Sequence, residues 1–336
     1  MLWQGCIVNF NAIIGQQDVI EGLKTLINSN KIGHAYIFSG PEGIGKTTVA
    51  KILASILMCS DNVGDESCGN CQSCRLFENG TNPDFGILEC KGSSIGVDEI
   101  RNLQHDICVR PLYSKRKVYL IREADRMTVQ AQNCLLKTLE EPPEYAVIIL
   151  VASNYNALLE TIHSRSIRID FKKNTFDEVK EFITARAGGD FEQADFIASY
   201  ADGVIGRALE LMESEGFREI REKAIDAVIR LSGPDLGDMF DISLMFDENK
   251  DDIDSILDIM LLFYRDLLIA GKSGNEKLLI NSDKKDIILK NTNKFSTGKL
   301  LKNIDIIEEM RKNIKQNANY QLAIQVMLMK LQEENA

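Results

Sequence analysis

The chain has 336 residues, more than one hydrophobic core usually serves, so two or three domains are expected. A formal net charge of −11 excludes broad, passive coating of nucleic acid, because phosphate binding needs clustered Lys and Arg to displace counterions. No stretch approaches about 18 uninterrupted apolar residues, and the opening MLWQGCIVNF lacks both a charged n-region and a long apolar h-region; a soluble cytoplasmic protein with no membrane association is expected.

In chain order, residues 17–30 place Val19, Ile20, Leu23, Leu26 and Ile27 at helical spacing. A strand over 35–39, a glycine loop and a helix with Val49, Ile52, Leu53, Ile56 and Leu57 on its inner face follow. Further strands are predicted over 85–89, 118–121, 146–152 and 167–171, with helical patterns between most of them. Pro142 and Pro143 end the helix that begins near Thr128, since proline cannot continue the hydrogen-bond ladder. This alternation predicts an α/β domain with a parallel sheet covered by helices on both faces. His34, just ahead of the first strand, reads as a packing or hydrogen-bonding residue. After about residue 171 the strand signal disappears: 176–212 reads as three short helices broken at Gly188-Gly189 and Gly203. Beyond Gly216 the pattern is helical almost to the end, with 256–269 and 320–331 the most apolar; the acidic run over 247–254 reads as a solvated connection or a helix start.

Residues 40–47, GPEGIGKT, match G-x-x-x-x-G-K-[ST] between a strand and a helix. Gly40, Gly43 and Gly45 let backbone N–H groups face phosphates, and the helix N-terminus adds partial positive charge. Lys46 can reach the terminal phosphates, Thr47 can ligate Mg2+, and Thr48 completes the set of nucleotide candidates. An inherited scaffold that binds ATP or ADP without turning it over satisfies the same pattern.

Eight cysteines without an export signal are not expected to form a disulfide framework. Cys59, Cys68, Cys71 and Cys74 follow the spacing C-x8-C-x2-C-x2-C, which suits a closed four-sulfur shell around a structural Zn2+; a cluster of free thiols is the alternative. Cys6, Cys90, Cys108 and Cys134 are scattered and read as small buried hydrophobes.

The run KVYLIREADRMTVQAQNCLLKTLEEPP over 117–143 resembles the Walker B strand and following helix of the clamp-loader branch of AAA+ proteins, the bacterial gamma/tau and delta-prime type. IIGQ at 13–16, HAYIFSG at 34–40, Ser164-Arg165, GVIGRA at 203–208, FYRDLL and NANYQLAIQVML extend the resemblance over the whole chain. It implies an AAA+ domain over 1–172 carrying the four-cysteine module at 59–74, a three-helix lid over 173–213 and an all-α collar over 214–336. It implies a hetero-pentamer with gamma/tau and delta subunits, ATP at junctions between neighbours, and a β clamp loaded onto primer-template DNA. In the family the arginine matching Arg165 reaches across a junction into the neighbour's ATP site; here Ser166 replaces the motif's cysteine, and a local structural arginine is the alternative. Arg207 corresponds to the sensor-2 arginine and Asn154 to the sensor-1 residue, and either side chain serves equally as a surface or capping group.

One departure bears on the role. Active members carry Asp then Glu at the end of the Walker B strand, whereas this chain has Arg122 and Glu123. A cation at the metal-holding position repels Mg2+, so weak or absent hydrolysis by this chain is expected, with Arg122 otherwise an ordinary exposed arginine. A gamma/tau-like motor ATPase is the alternative, and a zinc-dependent assembly or DNA-binding module outside replication is a third.

Overall fold

The computed structural model describes residues 9–90, 92–189, 193–233, 236–273, 278–316 and 318–335. Contacts group the chain into two units, 1–182 with 201–207, and 183–200 with 208–336. The segment read from sequence as a lid, 173–213, is therefore divided between them.

The first unit alternates helices and strands: α1 (Gln17–Asn28), β1 (Ala35–Ser39), α2 (Lys46–Met58), α3 (Gln72–Glu78), β2 (Phe85–Leu88), α4 (Val97–Ile107), β3 (Lys117–Ile121), α5 (Val129–Glu140), β4 (Ala146–Ala152), α6 (Glu160–His163) and β5 (Ile167–Asp170). All strand pairs are parallel, in the order β2-β3-β4-β1-β5. Side chains alternate across a strand, so β1 sends Tyr36 and Phe38 to one face and Ala35 and Ile37 to the other. On the first face they meet Leu23 of α1 and Val49, Ile52, Leu53 and Ile56 of α2. On the second they meet Ile100 and Leu103 of α4 and Leu135 and Leu139 of α5. Each such buried aliphatic contributes about 1.5–3 kcal/mol. α5 starts on Thr128, whose side chain accepts from the N–H of Ala131, and stops ahead of Pro142.

The helices that follow are α7 (Phe176–Ala187), α8 (Ala194–Tyr200), α9 (Ile205–Glu213), α10 (Glu215–Arg230), α11 (Leu236–Glu248), α12 (Ile253–Ser273), α13 (Lys285–Thr292), α14 (Thr297–Lys315) and α15 (Tyr320–Asn335). The acidic run over 247–254 ends α11, forms a 3-10 turn at Lys250–Asp252 and begins α12. In the second unit Arg221 is 1% exposed, stacks over Phe196 with its Cζ 3.7 Å from the ring centroid, and holds Asp283 by two bonds of 2.7 Å. Among the described residues no helix is long and apolar enough to cross a membrane.

Two expectations need correction. The scattered cysteines are not buried hydrophobes: Cys108 is exposed at the C-terminal end of α4, and Cys90 and Cys134 are half-buried, with thiols directed to the Gly92 carbonyl and to Gln104 Oε1. Cys6 lies outside the described residues. Strands β2 and β5 each stop one residue earlier than predicted, where pairing with the neighbouring strand ends. His34 packs: its carbonyl accepts from Ile148, while its Nε2 is buried without a partner among the described residues.

Candidate functional site

The loop between β1 and α2 holds three glycines at positive φ: Gly40 at 153°, Gly43 at 75° and Gly45 at 101°. A Cβ on Gly40 would lie 2.7 Å from the carbonyl oxygen of Phe171, so the close passage of the loop over the end of β5 requires glycine there. Gly45 caps α2 in the left-handed region, leaving the first-turn N–H groups of Lys46, Thr47 and Thr48 without partners from the helix itself. Lys46 is 5% exposed, and its ammonium donates to the carbonyls of Gly40 and Pro41, each at 2.6 Å. Burial holds its pKa below the usual lysine range, opposed by the charges of Asp125 and Glu42. A buried ammonium hydrogen-bonded to neutral carbonyls, beside the first-turn amides of α2, has the chemistry of an anion cradle.

At the end of β3, the Arg122 N–H continues the sheet by donating to Leu88, and its guanidinium pairs with Glu89 at 2.5 Å. Glu89 and Arg122 both act on Lys51 of α2, so the carboxylate at this corner is shared among cations. Glu123 sits at φ 50° and pairs with Arg126 at 2.5 Å. The turn brings in Asp125, which sequence reasoning missed: its Oδ1 accepts from the N–H of Ser153 at 3.3 Å and its Oδ2 from that of Asn154 at 3.2 Å. Asn154 is exposed, and its side chain accepts from the N–H of Asn156.

Two further segments are tied in by hydrogen bonds, one to the loop and one to the end of β5. Gly206, at the start of α9, donates its N–H to the carbonyl of Gly43 at 2.9 Å, which sets the backbone of Arg207 beside Gly43. Gln16 reaches back to the end of β5, its Oε1 accepting from the N–H of Lys172 and its Nε2 donating to the same residue's carbonyl. Arg165 lies just past α6, about one-third exposed. Its guanidinium pairs with Glu140 at 2.9 Å and donates to the Thr161 carbonyl at 3.0 Å and to Ser164 Oγ at 3.1 Å.

The four clustered cysteines come together: their sulfurs all lie within 4.8 Å of one another, Cys59 and Cys71 being 4.0 Å apart. A tetrahedral shell with Zn–S bonds near 2.3 Å separates sulfurs by about 3.8 Å, so the donor set could hold a metal ion. Backbone N–H groups of Cys68, Cys71 and Cys74 point at the sulfurs of Cys59, Cys68 and Cys71. Burial raises the Cys71 thiol, but hydrogen bonds from the backbone and from neighbouring thiols outweigh it and bring it down to about 6.

The cluster braces a loop far along the chain. Ser73 Oγ lies 2.7 Å from Ser114 Oγ, Asn82 donates to the Ser73 carbonyl, and Lys115 Nζ donates to Asn62. Asp84, 1% exposed, accepts from the N–H groups of Leu112, Tyr113 and Ser114 at 2.8–2.9 Å.

A phosphate loop on a parallel sheet of this strand order, followed by a helical part, defines a P-loop protein of AAA+ type. Residues 15–175 match the family described as DNA polymerase III, delta subunit, and residues 215–333 match its C-terminal family. DNA polymerase III subunit delta' of Bacillus subtilis is 30% identical over 325 residues, 95% of this chain and 96% of that protein. Subunit tau of the same organism is 28% identical over 96% of this chain and 61% of its own length. A gamma subunit-related protein of Thermotoga maritima, of known structure, is 21% identical and aligns over 94% of this chain and 99% of its own with a TM-score of 0.43. The chain belongs to the delta-prime subunit family of bacterial DNA polymerase III.

Proposed function

We propose that the chain is the non-motor subunit of a clamp loader: it lends Arg165 and its C-terminal helices to a neighbouring gamma/tau ATPase and hydrolyses little or no ATP itself. The observation that carries this reading is Arg122 paired with Glu89 at 2.5 Å, a guanidinium where an active relative's magnesium carboxylate belongs. Phosphates suit the loop, with Gly40, Gly43, Gly45, Lys46, Thr47 and Thr48 around them and Arg207 beside it, so ATP or ADP binds here without efficient turnover. A metal ion does not fit position 122. Zinc suits the four-sulfur cluster and would supply only folding stability, since a closed shell leaves no position for substrate.

On this reading Arg165 leaves Glu140 when a partner subunit docks and stabilises charge on the phosphoryl group transferred there. An arginine of this kind is worth about 10³–10⁵ in rate. The proposed assembly is a cytoplasmic hetero-pentamer with gamma/tau and delta subunits that opens the β clamp around primed DNA, with residues 1–172, 173–213 and 214–336 as its functional parts. The test is reconstitution with Arg165→Ala: DNA-stimulated ATP turnover and clamp loading should fall, and unchanged turnover removes the role of Arg165. Steady turnover by the isolated chain, lost on Lys46→Ala, would establish the motor-ATPase alternative.

A further inference from the structure

Arg165 follows a helix of four residues, Glu160–His163, too short to be stable alone. Its orientation must come from tertiary contacts. Ile162 is fully buried and fixes one side of this single turn. The next residue, His163, points about 100° further round and makes the second contact. Its ring lies on that of Tyr155, centroids 3.9 Å apart and planes 7° from parallel, and its Nε2 is 3.1 Å from the Tyr155 carbonyl oxygen. The Arg168 guanidinium sits 3.9 Å from the same Tyr155 centroid. Two groups at that distance cannot share a face, so Tyr155 is clamped between His163 and Arg168. Arg168 is held in turn by Asp170 at 2.8 Å.

The tyrosine's own backbone is anchored as well. Ser153 and Asn154, the two residues before it, donate their N–H groups to Asp125, one of the two charges acting on Lys46. A connected path therefore runs from Asp125 through the 153–155 segment and the ring stack to the turn that presents Arg165.

We infer that Tyr155 is a positioning residue: by clamping His163 it fixes the rotation of α6 and so aims Arg165 at the neighbour's nucleotide. The inference rests on the proposed trans role of Arg165. A side chain that must meet a transferring phosphoryl group tolerates little error, and a displacement of about 1 Å costs on the order of 10²-fold in rate.

The experiment uses the reconstituted complex with gamma/tau and delta, measuring kcat and KM for DNA-stimulated ATP turnover with Tyr155→Ala, Tyr155→Phe, His163→Leu and Arg165→Ala, each checked for assembly and thermal midpoint. Tyr155→Ala and His163→Leu should lower kcat about tenfold or more, toward the residual level of Arg165→Ala, with KM for ATP unchanged, while Tyr155→Phe keeps the stack and stays near wild type. Reduced turnover with Arg165→Ala but unchanged turnover with Tyr155→Ala and His163→Leu overturns the positioning role alone. A Phe variant as weak as the Ala variant overturns it too, because the ring is then not the active element. Unchanged turnover with Arg165→Ala removes the trans role and this inference with it.

Discussion

Gly206 and Gly43 join backbone to backbone, the N–H of the first donating to the carbonyl of the second at 2.9 Å. The contact leaves no room for a side chain: a Cβ on Gly206 would lie 2.7 Å from the Gly43 oxygen and 2.9 Å from its Cα. Gly206→Ala must push the start of α9 off the loop. The expected cost is about 1–3 kcal/mol of stability, accompanied by weaker ADP binding. Thermal unfolding and calorimetric titration with ADP check both, and an unaltered ADP affinity would mean that the loop holds its shape without α9.

The cysteine cluster should carry one zinc ion per chain. Removing it with a chelator, or substituting Cys74, which is 6% exposed, should loosen residues 59–82 and with them the loop braced through Ser73, Asn82 and Asn62. Lys115 and Arg116 then become faster trypsin sites, by about tenfold or more if the brace is lost outright, because cleavage tracks the population of opened chain. Equal digestion with and without metal would show that the loop does not depend on the cluster.

Removing one partner of a buried ion pair strands the other. Asp283→Ala leaves the Arg221 guanidinium, among the described residues, with Asn281 and the face of Phe196, and should destabilise the second unit by about 3–5 kcal/mol in urea unfolding. Replacing both members with apolar residues of similar volume should recover most of the loss.

Tyr320 donates its hydroxyl to the Phe246 carbonyl at 2.8 Å, and burial, aided by the charge of Asp247, pushes its pKa up to about 12. The folded state thus holds this proton more tightly than the unfolded chain, whose tyrosines titrate near 10. The resulting stability is fully present below about pH 10 and is lost as pH rises through about 12. In an ultraviolet tyrosinate titration, Tyr320→Phe should delete a component with a midpoint near 12. If the deleted component lies near 10, the hydroxyl is not buried as described.

Local pattern was enough for much of this molecule. The apolar runs of β1 and β4, the glycine loop and the proline stop after α5 all depend on neighbours in sequence, and each falls where spacing puts it. The four cysteines belong to the same class, since their clustering is set by short intervals. α4 is weakly marked in sequence: Ile100, Leu103 and Ile107 sit at helical intervals along it, but polar residues outnumber them. What escaped entirely was non-local. Asp125 matters because the left-handed turn at Glu123 carries it to residues 28 and 29 positions away, and Glu89 meets Arg122 across 33. The exposure of Cys108 depends on where a helix happens to end against solvent, which residue type alone does not report.

Asp84 spends both carboxylate oxygens on three consecutive amides of a loop that begins more than twenty residues later. The course of that loop is therefore dictated from outside it, by a residue that water barely touches. Val109, Leu112 and Tyr113, whose side chains stand in solvent, can be exchanged freely without bending the main chain beneath them, whereas the single change Asp84→Asn, which trades an acceptor for a donor facing other donors, would deform the whole turn.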